Sequence, residues 1–188
     1  MAALRNVRFA NGPDSRIDPG LIPAIAEDGS LYPVDKMEAH RRGLYHQAVS
    51  VFIFSGELLL IQRRASGKYH CGGLWANSCC SHPYWNETEE AAASRRLVEE
   101  LGLEARLTAG NIVSYRAPVT RGLVENERVH VFHGRVDHRS CRIAPNSDEV
   151  SETRWASRPE LLSEAQSAPD GFAPWFLIYL ERWDELGI

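Results

Sequence analysis

A strand whose inward face would begin with two carboxylates and continue with two valines constrains this chain more than any other feature. Residues 125 to 136 alternate well enough to read as a β-strand. Side chains on a strand repeat every second residue, so Glu125, Glu127, Val129 and Val131 share one face. If the valines enter a core, the acids enter it too, and buried like charges are costly unless a cation balances them. Two readings follow: a metal between the acids, or a fraying strand end that leaves both in water.

Other ligand types recur along the chain. The stretch Trp75-Ala-Asn-Ser-Cys-Cys-Ser-His-Pro83 sets Cys79, Cys80 and His82 close together, before a proline that prevents a helix from continuing. A thiol beside an imidazole serves as nucleophile, metal ligand or proton shuttle. His40 and His46 are spaced too irregularly for one helix face and suit a loop entering a strand. With His82, Glu125 and Glu127 they make a mixed nitrogen and oxygen set, appropriate to a divalent ion such as zinc or manganese. The rival is a zinc site of Cys71, Cys79, Cys80 and His82, although its spacing matches no common zinc-finger pattern.

At 188 residues, 44% hydrophobic and 24% charged, the chain reads as one globular domain with a real core. A net charge of -4 offers no footprint for nucleic acid, so clustered cations must serve a local anion. Met1 to Asn11 lacks the apolar region of a secretory signal, and no apolar run is long enough to span a bilayer. With four cysteines, two of them adjacent and unsuited to bonding each other, the expectation is a reducing cytoplasm with free thiols.

Met1 to Leu31 reads as an irregular arm or one short strand, with the main domain over residues 32 to 188. Tyr45 to Phe54 and Leu58 to Gln62 form a hairpin or meander across Ser55-Gly56-Glu57. Asn111 to Ala117 and Glu125 to Val136 are further strands, and a short one is possible at Leu74-Trp75. A helix is expected from about Glu87 to Leu101, with Asn86 and Glu89 as a capping box and Gly102 as its stop. Its apolar stripe would be Ala91, Ser94, Leu97, Val98 and Leu101, opposite Arg95, Arg96, Glu99 and Glu100. Ser157-Arg-Pro-Glu160 opens another helix, and a last one begins near Pro174. The picture is α+β: a mixed central sheet with helices on both faces.

Three clusters carry two readings each. Arg95 with Glu99 and Arg96 with Glu100 are helix-stabilising pairs, or part of a magnesium-diphosphate site. Lys36, Arg63, Arg64 and Lys68 are solvated loop charges, or a clamp for a diphosphate. Trp175, Tyr179 and Trp183 pack a helix on the core, or one of them covers a site.

Taken in order, these motifs resemble the type 1 isopentenyl-diphosphate isomerases of the Nudix superfamily. The residues that carry the resemblance are His40 and His46 ahead of the first core strand, ANSCCSHP, RRLVEELG, YRA with VENE, and APW. It runs from about Lys36 to Trp183 and implies a Nudix-like α/β/α sandwich forming a single catalytic domain. His40, His46, His82, Glu125 and Glu127 match the ligands of a first divalent metal, Mn2+, Zn2+ or Mg2+. Glu100 matches the acid that helps hold a Mg2+ on the substrate diphosphate. Cys80 and Glu127 match the proton-transfer residues, Tyr115 a tyrosine beside that glutamate, and Trp175 the tryptophan over the reacting carbon. Lys36, Arg64, Lys68 and Ser81 match diphosphate contacts.

The implied reaction is isomerisation of isopentenyl to dimethylallyl diphosphate through a tertiary carbocation, with the Cys80 thiol tuned by nearby positive charge. The alternative is a Nudix hydrolase of a nucleoside diphosphate derivative. A hydrolytic box reads Arg-Glu-x-x-Glu-Glu, however, and Arg96 replaces its first glutamate. The expected partner is a small diphosphate, without nucleic acid or membrane, acting on a monomer or weak homodimer.

Overall fold

Strand periodicity and apolar runs put the centre of the sheet where the sequence is most hydrophobic. The computed structural model describes residues 17–188, so the reading of residues 1–16 as part of an arm lies outside the described residues. In chain order the elements are β1 (Leu21–Ile25), β2 (Leu31–Asp35), α1 (Lys36–Arg42), β3 (His46–Ser55), β4 (Leu58–Arg64), β5 (Trp75–Ala76) and β6 (Cys79–Ser81). There follow α2 (Glu89–Leu101), β7 (Leu107–Pro118), β8 (Val124–Arg135), β9 (Val150–Ser157), α3 (Arg158–Ser167) and α4 (Pro174–Glu181). No helix among the described residues is long and apolar enough to cross a membrane.

β3 is buried at every position because it lies mid-sheet with helices on both faces. It runs parallel to β8 and antiparallel to β1, β4 and β6, so the sheet is mixed. On one face Phe52, Ile61, Val129 and Val131 pack with Leu161 of α3 and with Phe176 and Leu180 of α4. On the other, Val49, Val51, Ile53 and Leu60 pack with Ala93, Leu97 and Leu101 of α2. The result is the expected α/β/α sandwich.

The register of these strands positions the chemistry. His46 of β3 pairs with Glu127 of β8, and Tyr115 of β7 pairs with the same glutamate from the other side. Ser50 of β3 pairs with Cys80 of β6. Directly paired residues share a face and stand within side-chain contact of each other.

The stretch read as an irregular arm or one short strand supplies a short strand, β1, whose Ala24 pairs with His46. Other expectations are corrected. His40 lies on a helix, α1, capped by Asp35, and not in a loop. Helix α2 starts at Glu89 with Thr88 as its cap, because Asn86 adopts a left-handed φ of 69° and Glu87 turns away to Tyr84 and Arg95. The buried face of α2 is Ala92, Ala93, Leu97, Glu100 and Leu101, whereas Ala91, Ser94 and Val98 are exposed. A count of apolar residues alone misjudges that rotation, since the buried carboxylate of Glu100 is satisfied by Gln62 and Arg96. Strand β9, which pairs with β4 along its whole length, is an element that the sequence pattern does not announce.

Candidate active site

Five ligand atoms converge at one end of β3 and β8. α1 delivers His40, the start of β3 His46, the segment after β6 His82, and the first residues of β8 Glu125 and Glu127. Each residue is buried, and the five atoms all lie within 4.8 Å of one another. His40 Nδ1 donates to the Lys36 carbonyl at 2.6 Å and His46 Nδ1 to that of Leu44 at 2.8 Å. Those bonds turn each Nε2 toward the cluster, where the neutral imidazole would present a lone pair to a cation.

The donor set fits a divalent ion. His46 Nε2 is 3.1 Å from His82 Nε2, His82 Nε2 is 2.9 Å from Glu127 Oε1, and His40 Nε2 is 3.1 Å from Glu125 Oε2. Metal bonds of about 2.1 Å set neighbouring ligands about 3 Å apart, matching these spacings. His40 Nε2 and Glu125 Oε2 are buried and close, yet neither has an aligned hydrogen-bond partner. A cation between them satisfies both. Glu125 and Glu127 are 3% and 6% exposed, which overturns the reading of a frayed, hydrated strand end. The rival cysteine cluster is excluded by topology: Cys79 packs on the α2 side of the sheet and Cys80 on the other.

Burial opposes protonation of His46, but hydrogen bonding and charge from Glu127 raise it above the ordinary histidine range. Burial opposes ionisation of Glu127, but hydrogen bonding and charge from His46, with a further bond from Tyr115, bring it down to about 2. Burial keeps His82 well below the ordinary histidine range, and the neighbouring Lys36, His46 and His40 add to the effect. Its imidazole is therefore neutral, as a metal ligand must be.

Cys80, Glu127, Tyr115 and Trp175 line one pocket with Lys36, Arg64, Lys68, Ser81 and Glu100. Every residue singled out from the sequence as catalytic, substrate-binding or magnesium-holding thus borders the same space, and of the three clustered histidines His82 lines it as well. Tyr115 donates to Glu127 Oε2 at 2.5 Å. The Cys80 thiol donates to Asn77 Oδ1 at 2.8 Å and lies 3.2 Å from Ser50 Oγ, itself 2.8 Å from the Tyr179 hydroxyl. Burial pushes this thiol up to about 12; the bond to Ser50 pulls the other way, and the charge of Glu127 adds to the rise. The expectation of a thiol tuned by positive charge is therefore corrected: desolvation and a nearby carboxylate outweigh the cations, and Cys80 keeps its proton.

Another side of the pocket is crowded with cations. Burial lowers Lys36 to about 8, helped by repulsion from Lys68 and Arg96. Arg64 holds the His70 carbonyl and stacks over the Trp175 ring, 5.2 Å from its centroid. Glu149 pairs with Lys68 and with Arg96, the latter at 3.3 Å. Arg96 also grips Glu100 through two nitrogens, at 3.1 and 2.7 Å.

Sequence reasoning misses Tyr69, His70 and Glu149 at this cavity, and misplaces Arg96 on an exposed face. Tyr69 and His70 reach it from an irregular loop, where no periodicity marks an inward side chain. Glu149 arrives just before β9, and only the pairing of β9 with β4 brings it near.

Residues 44–176 match the NUDIX domain family. The isopentenyl-diphosphate Delta-isomerase of Cereibacter sphaeroides is 49% identical over 163 residues, covering 86% of this chain and 91% of the relative. That of Ruegeria pomeroyi is 50% identical over 163 residues, covering 86% and 89%. Among solved structures, DR0079 from Deinococcus radiodurans superposes with a TM-score of 0.70 at 17% identity, covering 86% of this chain and 98% of that one. The M. Smegmatis Nudix hydrolase RenU gives 0.53 at 22% identity, covering 87% and 92%. These structural likenesses establish the fold, and the two isomerases narrow the family. The chain belongs to the Nudix family, among the isopentenyl-diphosphate Delta-isomerases.

Proposed function

We propose that this chain interconverts isopentenyl and dimethylallyl diphosphates by moving protons across the cavity between Cys80 and Glu127. The observation that carries the reading is the lining of one buried cavity by a protonated thiol, a Tyr115–Glu127 pair and the indole of Trp175. An unactivated alkene must gain a proton at its terminal carbon, pass through a tertiary cation and lose a proton from the neighbouring carbon. Charge and atoms balance, so the enzyme needs one proton carrier at each end and no external reagent.

Cys80 is one carrier, its S–H oriented by Asn77 and Ser50. Glu127, hydrogen-bonded by Tyr115, is the other. Trp175 shields the cation: an indole face stabilises it by about 2 kcal/mol or more in a desolvated site, without forming a stable adduct. Lys36, Arg64, Lys68 and Ser81 hold the diphosphate and so fix the alkene between the carriers.

His40, His46, His82, Glu125 and Glu127 would hold a divalent ion, Mn2+, Zn2+ or Mg2+. When bound, such an ion neutralises the buried carboxylates and sets the acidity of Glu127. Glu100 is assigned to the Mg2+ that accompanies the substrate diphosphate, and its burial at the cavity beside Arg96 supports that role. One catalytic domain acts on a small diphosphate in the cytoplasm as a monomer or weak homodimer, without nucleic acid or membrane. Four free cysteines and a net charge of -4 support that setting.

The test is incubation with isopentenyl diphosphate in deuterated water, with and without a chelator, for the native chain and Cys80→Ala. Expected are deuterium in dimethylallyl diphosphate, loss of turnover on chelation, and loss of turnover in the variant with its metal content retained. Release of phosphate with no allylic product would point to hydrolysis instead.

A further inference from the structure

The two strand acids are built alike. Glu127 turns Oε1 toward His46 and His82, while its Oε2 accepts a hydrogen bond from Tyr115. Glu125 turns Oε2 toward His40, at 3.1 Å, and its Oε1 lies 2.7 Å from His70 Nε2. Each carboxylate thus offers one oxygen to the ligand imidazoles and has a donor from outside the ligand set at the other. From this parallel we infer that His70 is a positioning residue for the metal centre, holding Glu125 so that a single oxygen faces the ion.

The inference rests on the metal reading above. His70 is not one of the five convergent ligands, so its part is played through Glu125. It is 3% exposed, and neither ring nitrogen has an aligned hydrogen bond while the cluster lies in its present arrangement. Once His40 Nε2 and Glu125 Oε2 serve the ion, the Nε2–H of His70 is the donor in reach of Oε1. An outer donor of this kind fixes the orientation of a ligand and its basicity.

The surrounding loop is shaped to keep the ring there. Arg64 grips the His70 carbonyl through Nε and Nη2, at 3.4 and 3.3 Å. The next residue, Cys71, adopts a left-handed φ of 51° and donates its N–H to Thr120 Oγ1 at 2.9 Å. The imidazole stacks on His40 with centroids 5.8 Å apart and meets Trp175 edge to face at 5.6 Å. It therefore touches the metal cluster on one side and the indole on the other.

The experiment titrates metal-stripped protein with Mn2+ against a chelating dye, with no substrate present, and follows folding by circular dichroism. His70→Phe is expected to weaken Mn2+ binding by about 10–100-fold, and His70→Gln, which keeps an N–H at similar reach, to restore most of it. His70→Asn, whose amide is too short, is a second loss variant should the phenylalanine form fail to fold. His82→Ala serves as the reference and is expected to lose the ion outright. Native affinity in His70→Phe or His70→Asn, beside loss in His82→Ala, overturns the role of His70 alone. Native affinity in His82→Ala as well overturns the metal centre itself.

Discussion

Replacing Trp175 by leucine separates stabilisation of the cation from binding of the substrate. The indole is 2% exposed, lines the cavity and has no hydrogen-bond partner at Nε1, so its loss strands no polar group. The cation exists only near the transition state, so the energy of its contact with the ring appears in kcat and not in KM. A desolvated cation–π contact of about 2 kcal/mol corresponds to a fall in kcat of about 30-fold. Arg64, which stacks on the same ring, keeps its two bonds to the His70 carbonyl, so KM is expected to move by less than about threefold. Lost burial costs up to about 3 kcal/mol of stability, readable by urea unfolding. Trp175→Phe, with a weaker aromatic face, should fall between the two. The assay is steady-state conversion of isopentenyl diphosphate at saturating metal. A folded leucine variant with kcat within about threefold of native, or with its defect confined to KM, would refute the reasoning.

Two further outcomes are expected. Lys36 is lowered from 10.5 to about 8, so it is charged below that pH and loses its charge as pH rises through it. The ratio kcat/KM, which reports the free enzyme, should therefore decline above about pH 8, and Lys36→Arg, always charged, should flatten that limb. A Cβ on Gly72 would meet the Ser66 carbonyl oxygen at 2.6 Å, a backbone atom that cannot swing aside. Gly72→Ala should cost about 1–3 kcal/mol in urea unfolding and weaken Mn2+ binding by displacing the His70 loop; native values of both would contradict this account.

Much of the active site is legible in the chain because covalent geometry writes it there. The period of two places Glu125 and Glu127 on the same face as Val129 and Val131 wherever the strand goes. Cys80 and His82 are neighbours in the chain, and Gly102 stops α2 in the left-handed conformation that its lack of a side chain permits. The rotation of α2 is not legible, because the buried face includes Glu100, whose partner Gln62 comes from β4, remote in the chain.

What the sequence determined alone is the set of reactive groups and their local spacing: imidazoles, thiol, paired acids and the turns between them. Tertiary structure decided which of them meet. The register that sets His46 against Glu127 comes from strands distant in the chain, and the loop that carries His70 follows no repeat. It also decided their protonation: burial raises Cys80, whereas the contacts of Glu127 with His46 and Tyr115 lower it against its own burial. Spacing is a property of neighbouring bonds, whereas desolvation and cross-strand contact belong to the whole packed chain.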